Sequence, residues 1–141
     1  MRKIVMLMML FVASAIFAAD INWAKDFNTG IESAKKANKP VLFVSSRHSC
    51  KYCVILDTTT FKDKRVIEEL NKNFVSIIAY SDNNDYMPKE LWQPGTPAIW
   101  FLLPSGEPMY QPLMGAIDAE NFLKALAIVK EDYKEYKKEK K

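Results

Sequence analysis

Apolar residues cluster in three short runs that alternate with more polar segments. Residues 41–45 form an apolar, β-branched run that begins after Pro40 and ends in a polar stretch, which predicts a buried strand. Residues 74–80 and 98–103 have the same character and predict two further strands. Runs without polar alternation are typical of strands covered on both faces, so we expect helices on each side of the sheet.

Helical patterns fill the segments between these runs. Asp63 and Asp118 stand where helix N-caps are expected, and the residues after Asp118 place Phe122, Leu126 and Val129 on one face. The predicted helices are residues 29–38, 50–56, 63–70 and 89–92, and a final helix that starts at Asp118.

A turn over residues 104–107 leads into a fourth predicted strand, residues 108–111. Pro108 and Pro112 place this strand at an edge, because proline cannot donate to a ladder on both sides. The element order joins a parallel βαβ unit to an antiparallel hairpin. The sequence therefore predicts an α/β fold, with a central mixed sheet of four to five strands flanked by helices on both faces.

The first residues have the three-part pattern of a secretory signal peptide. Met1–Lys3 is basic, the next 14 residues carry no charge, and small residues precede Asp20. The uncharged stretch is shorter than the roughly 20 residues of a spanning helix, which disfavours an uncleaved anchor. We predict a signal peptide over residues 1–18, with cleavage after Ala18 preferred over the stricter small-residue match at Ala15. In a bacterium this leader predicts a periplasmic protein.

The remaining chain is about 120 residues, the size of one compact domain. We place this domain at residues 19–130, with residues 131–141 as a charged helix end or tail. Removal of Arg2 and Lys3 from the 20 basic side chains leaves 18, against 17 acidic ones. This balance gives no reason to expect nucleic acid or acidic lipid as a partner, and we expect a monomer.

The two cysteines of the chain, Cys50 and Cys53, stand three residues apart at a predicted strand-to-helix junction. A helix N-terminus favours thiolate over thiol, so Cys50 is the expected nucleophile and Cys53 the expected resolving thiol. A purely structural bridge is disfavoured, because so short a loop contributes little stability and one bridge makes no scaffold. The pair predicts disulfide exchange without a bound cofactor.

Three neighbours of the dithiol each have an active and a passive interpretation. As an imidazolium, His48 would stabilise the thiolate and lower the pKa of Cys50, or it is a plain loop residue. Lys51 adds positive charge beside Cys50 or serves solubility. Tyr52 contacts substrate or covers the second sulfur.

Metal binding is the alternative function. Cys50, Cys53 and His48, with Asp57 one helical turn further, have the ligand types of a zinc or copper(I) site. A second CxxC or histidine that would complete a closed structural site is missing from the sequence, which disfavours this alternative.

Three features together resemble the thioredoxin superfamily. They are the strand at 41–45 that runs into Cys50–Cys53, the Gly95–Pro97 tripeptide before the third strand, and Gly115 ahead of the last helix. The resemblance extends from Trp23 to Leu126. Within the superfamily, the chain is similar to exported thioredoxin-like domains, including the C-terminal domain of the periplasmic transmembrane thiol reductase.

The resemblance implies a thiol:disulfide oxidoreductase, in which a cis Thr96–Pro97 bond lies beside the dithiol and the Thr96 backbone docks an extended substrate. It also implies a reductase or isomerase rather than an oxidase. The expected partners are thiols or disulfides of exported proteins and a membrane redox partner that recharges the dithiol. Two positions depart from the family pattern: Val44 replaces a buried carboxylate, and Ser49 replaces the tryptophan before the first cysteine.

Overall fold

The computed structural model describes residues 20–141, so the predicted signal peptide lies outside the described residues. The helices are α1 Phe27–Ala37, α2 Lys51–Thr58, α3 Lys64–Asn73 and α4 Ala119–Glu139. The strands are β1 Val41–Ser46, β2 Val75–Tyr80, β3 Ala98–Leu102 and β4 Leu113–Met114. Single 3₁₀ turns cover Thr60–Lys62, Ser81–Asn83 and Lys89–Leu91. Across this described range, no helix has the length and apolar character needed to cross a membrane.

The sheet has the order β2-β1-β3-β4 and confirms the predicted mixed architecture. β1 pairs with β2 in parallel, in the register Val41 to Val75, and with β3 in antiparallel fashion. All six residues of β1 are buried, as expected for a central strand with helices on both faces. The carboxyl end of β1, which leads into the dithiol, therefore lies between the neighbouring strands β2 and β3.

The predicted strand at residues 108–111 is wrong. The chain does turn back after Gly106, which has φ 91°, but Pro108 makes only an isolated bridge with Leu102. The fourth strand is instead β4, which pairs Ala98 with Met114 and Ile99 with Leu113. Pro108 and Pro112 lack amide donors, so a continuous ladder forms only after the second proline.

Two apolar clusters cover the two faces of the sheet. On one face, α2, α3 and α4 contribute side chains such as Leu56, Leu70 and Phe122. On the other face, α1 packs Phe27 and Ile31 against the sheet. Helices on both faces were predicted, and both core clusters confirm that arrangement.

Aspartate caps set where three of the helices begin. The side chains of Asp26, Asp63 and Asp118 each accept a hydrogen bond from a backbone amide in the first turn of α1, α3 and α4. Such caps satisfy donors that the helix itself leaves free. The caps at Asp63 and Asp118 were expected from the sequence. The remaining helix, α2, is capped by Cys50 instead.

Candidate functional site

Cys50 lies at the N-cap of α2, directly after the loop that follows β1. Its sulfur accepts a hydrogen bond from the Cys53 amide, with 3.2 Å between Sγ and N. Its thiol also donates to the Thr96 carbonyl, with 3.4 Å between Sγ and O. Neither cysteine is part of a disulfide bond in this structure. The helix terminus thus points an amide at the first sulfur, which is the geometry that favours a thiolate.

The two thiols differ in exposure and in acidity. Burial raises the pKa of Cys50. Hydrogen bonds with the side chains of Cys53 and Thr96 and with the backbone amides of Cys53 and Tyr52 outweigh this effect, so the pKa of Cys50 is lowered overall. Cys53 is 1 % exposed. Burial and its hydrogen bond to Cys50 raise the pKa of Cys53. One thiol is therefore prepared to attack while the other keeps its proton.

The Thr96–Pro97 segment lies against the first sulfur. The peptide bond between these residues is cis. The Pro97 carbonyl accepts a hydrogen bond from the Gly115 amide at 2.9 Å, which ties the segment to the end of β4. Gly115 has φ 88°, a conformation that glycine adopts without strain. The three features that carried the family resemblance therefore meet at one edge of the sheet.

Large apolar side chains border this edge without being buried. Tyr52 lies in the first turn of α2, Trp92 in the segment that leads to Thr96, and Met114 next to Gly115. Each is more than half exposed. Their exposure leaves these three side chains free to contact another protein.

The His48 imidazole is held by Asp82. Its Nδ1 lies 3.1 Å from Asp82 Oδ1, and its ring stacks on Tyr80 with centroids 3.9 Å apart. The amides of His48 and Ser49 both donate to Asp82 Oδ2. Burial raises the pKa of Asp82, but these hydrogen bonds lower it overall. Asp82 thus fixes the loop before Cys50, an arrangement with no signature in the sequence.

The predicted influence of His48 and Lys51 on Cys50 stays a prediction. The charge of His48 acts on Asp57, whose pKa it lowers against the larger effect of burial. Lys51 is the first residue of α2 and is exposed. For residues 20–141, no group of three or more histidine, cysteine or acidic side chains converges as metal ligands would.

Asp57 is the residue whose partial burial sequence reasoning missed. It lies one turn after Cys53 on the same helix, as expected, but the sequence suggests only a metal ligand there. Burial raises the pKa of its carboxyl group, while the charges of His48 and Lys62 oppose this effect. Its spacing of four residues from Cys53 was the available signal, because such pairs share a helix face.

Comparison with known proteins agrees with the fold. The Thioredoxin-like domain family matches residues 27–130, and the chain belongs to this family. Anterior gradient protein 3 of the mouse, Mus musculus, is 28% identical over 88 residues, which are 61% of this chain and 52% of that protein. The chain thus spans about half the length of the curated relative that it matches.

Two solved structures show the same fold. A thioredoxin from Thermus thermophilus has a TM-score of 0.66 at 24% identity, over 78% of this chain and 87% of its own. The oxidised C-terminal domain of DsbD from Neisseria meningitidis has a TM-score of 0.54 at 20% identity, over 69% of this chain and 86% of its own. These two structures confirm the fold that the resemblance implied, and the family match confirms the family.

Proposed function

We propose that this protein is a periplasmic thiol:disulfide oxidoreductase that acts as a reductase or isomerase on exported proteins. The observation that carries the proposal is the contrast between the two thiols. Cys50 is at a helix N-cap with a lowered pKa, and Cys53 is buried with a raised pKa. Exchange needs this asymmetry, because one sulfur must attack first and the other must wait.

The chemistry proceeds in two balanced steps. The Cys50 thiolate attacks one sulfur of a substrate disulfide, so a Cys50–substrate bond forms and the other substrate sulfur leaves as a thiolate. Cys53 then loses its proton and attacks Cys50, which releases the second substrate sulfur. The substrate gains two electrons and the dithiol loses two. A dithiol partner, which we place at the membrane, then reduces the Cys50–Cys53 disulfide.

The surroundings of Cys50 suit an extended protein substrate. The Thr96 carbonyl, to which the Cys50 thiol donates, belongs to a backbone segment that can pair with a substrate chain. Tyr52, Trp92 and Met114 offer exposed apolar contacts beside it. The export and the reductive direction rest on the leader pattern and on the family resemblance.

The direction of exchange is tested by the reduction potential. We expect equilibration with glutathione buffers to give a potential well below the roughly −120 mV of a strongly oxidising thioredoxin-like protein. A value near that figure would contradict the reductase and isomerase proposal. Export is tested separately by N-terminal sequencing of the protein from the periplasmic fraction, which we expect to begin at Ala19.

A further inference from the structure

The sheet offers no acid to the resolving thiol. Val44, which replaces the carboxylate of the family pattern, is 1 % exposed and belongs to the apolar core. Ser45 and Ser46, which complete β1 before the loop, are also buried. Cys53 must nevertheless lose a proton before it can attack, and its pKa is raised by burial. The proton therefore needs an acceptor from another element.

Asp57 is the carboxylate that α2 itself supplies. Cys53 and Asp57 are four residues apart on this helix, so their side chains share a face, with roughly 5–6 Å between Cβ atoms. Over residues 20–141, no hydrogen bond or ion pair engages the Asp57 carboxylate. Burial raises the pKa of this carboxyl group, which makes its ionised form a better proton acceptor than an ordinary aspartate.

Tyr80 is an ionisable residue on which the charges of both Cys53 and Asp57 act. This residue ends β2, opposite Ser46 in the register. Burial raises the pKa of its phenol first, and the charges of Asp57 and Cys53 raise it further. Tyr80 also lines a surface pocket together with Asp57.

A surface pocket connects Asp57 with solvent. The pocket has a volume of about 420 Å³, and Asp57, Tyr80, Trp23, Phe61 and Lys62 are among its lining residues. It is large enough to hold several water molecules, each of which takes up about 30 Å³ in the liquid. A proton accepted by Asp57 can thus leave to bulk water through this pocket.

We propose that Asp57 accepts the proton of Cys53 during resolution of the mixed disulfide, directly or through water, and passes it to the pocket. The inference rests on the proposed exchange function. In this step the Cys53 S–H bond breaks and its proton goes to the Asp57 carboxylate. The Cys53–Cys50 bond forms, and the substrate thiolate leaves. Asp57 then returns the proton to solvent.

The test uses the aromatic disulfide 5,5′-dithiobis(2-nitrobenzoate), which releases a coloured thiolate at each step. Attack by Cys50 releases the first thiolate, and attack by Cys53 on the mixed disulfide releases the second. Stopped-flow absorbance therefore separates the two steps in one experiment. We expect Asp57→Asn to keep the first phase and to slow the second about a hundredfold at pH 7, the low end of the range for general-base catalysis.

The pH profile distinguishes proton transfer from a structural effect. Hydroxide removes the Cys53 proton at high pH, so the difference between wild type and Asp57→Asn should shrink as the pH rises. Asp57→Glu retains a carboxylate and should restore most of the second phase. Glu68→Gln is the matched control, because Glu68 is exposed on α3 and is not among the lining residues of this pocket. It should leave both phases unchanged.

A second phase that is unchanged or faster in Asp57→Asn would overturn the inference. If Asp57 acted only through its negative charge, its removal would favour the Cys53 thiolate, and the second phase would be unchanged or faster. Asp57→Ala repeats the test if thermal melting shows that Asp57→Asn is poorly folded. A wild-type protein without any second phase would overturn the proposed exchange function as well, so the two failures are distinguishable.

Discussion

The two ends of the central strand β1 differ in which polar and apolar groups are buried around them. At its carboxyl end, ionisable groups share a partly buried environment and large apolar side chains are exposed. At its amino end, Tyr133 of α4 is 4 % exposed, and its hydroxyl donates to the Asn38 side chain at 2.7 Å. Lys137 lies over the same ring at 4.9 Å.

This difference separates a reactive end from a structural end. The amino end satisfies a buried hydroxyl and joins α4 to the C-cap of α1, where Asn38 has φ 52°. The carboxyl end keeps Cys53 and Asp57 with raised pKa values, and ionisable groups perturbed in this way cluster at functional sites. Substitutions at the two ends should therefore have effects of different kinds.

The largest expected effect is the loss of exchange in Cys50→Ser. Without the attacking thiolate, the insulin reduction assay should fall to the rate of the reductant alone. Cys53→Ser should instead accumulate mixed disulfides, which non-reducing electrophoresis detects. If both variants behaved like the wild type, the reactive end would not be a dithiol exchange site.

Tyr133→Ala should destabilise the structural end without changing the exchange reaction. Truncation of a buried aromatic ring lowers the free energy of unfolding by about 3–5 kcal/mol, which urea denaturation measures. Tyr133→Phe keeps the ring and removes only the hydrogen bond, so it should cost about 1 kcal/mol. Both variants should retain the wild-type exchange rate at temperatures where they are folded. A matched loss of activity would contradict the separation of the two ends.

Alkylation of the two thiols should differ in its pH dependence. Because the pKa of Cys50 is lowered, iodoacetamide should modify this thiol at a pH below about 8.5, the ordinary pKa of cysteine. Cys53, buried and with a raised pKa, should react slowly and only at higher pH. Peptide mass spectrometry after timed quenching assigns the modification. Equal rates at both sulfurs would remove the asymmetry that supports the proposed function.

Trp92→Ala should act on substrate binding alone. Its side chain is 60% exposed, so its removal should change the free energy of unfolding by no more than about 0.5 kcal/mol. The KM for a protein substrate should rise a few-fold. The reaction with the small aromatic disulfide, which needs no such contact, serves as the control and should be unchanged.

Asp82→Asn should have the smallest effect, and the effect should depend on pH. Hydrogen bonds from His48 and Ser49 lower the pKa of Asp82, so its contribution to stability exists above the unfolded pKa and is lost as the pH falls through the folded value. The wild type should therefore melt slightly higher than Asp82→Asn at neutral pH. The two melting temperatures should converge in acid, and a constant difference would exclude this linkage.

Most of the fold could be predicted because its signals are local. The three dense apolar runs match β1, β2 and β3 within one or two residues, and Asp63 and Asp118 mark the helix starts. The fourth strand was misplaced because two prolines interrupt its pairing, and the partner positions on β3 are distant in sequence. Helix α1 begins two residues before its predicted start, at the Asp26 cap.

The sequence by itself determined the dithiol, its strand-to-helix setting and the family, because these depend on neighbouring residues and on a few conspicuous motifs. Only the tertiary structure decided what surrounds the sulfurs. Asp82 reaches the loop before Cys50 from beyond β2, and Thr96 meets the Cys50 thiol across 46 positions. Asp57 gains its role through burial, and burial is a property of the packed chain rather than of any segment of it.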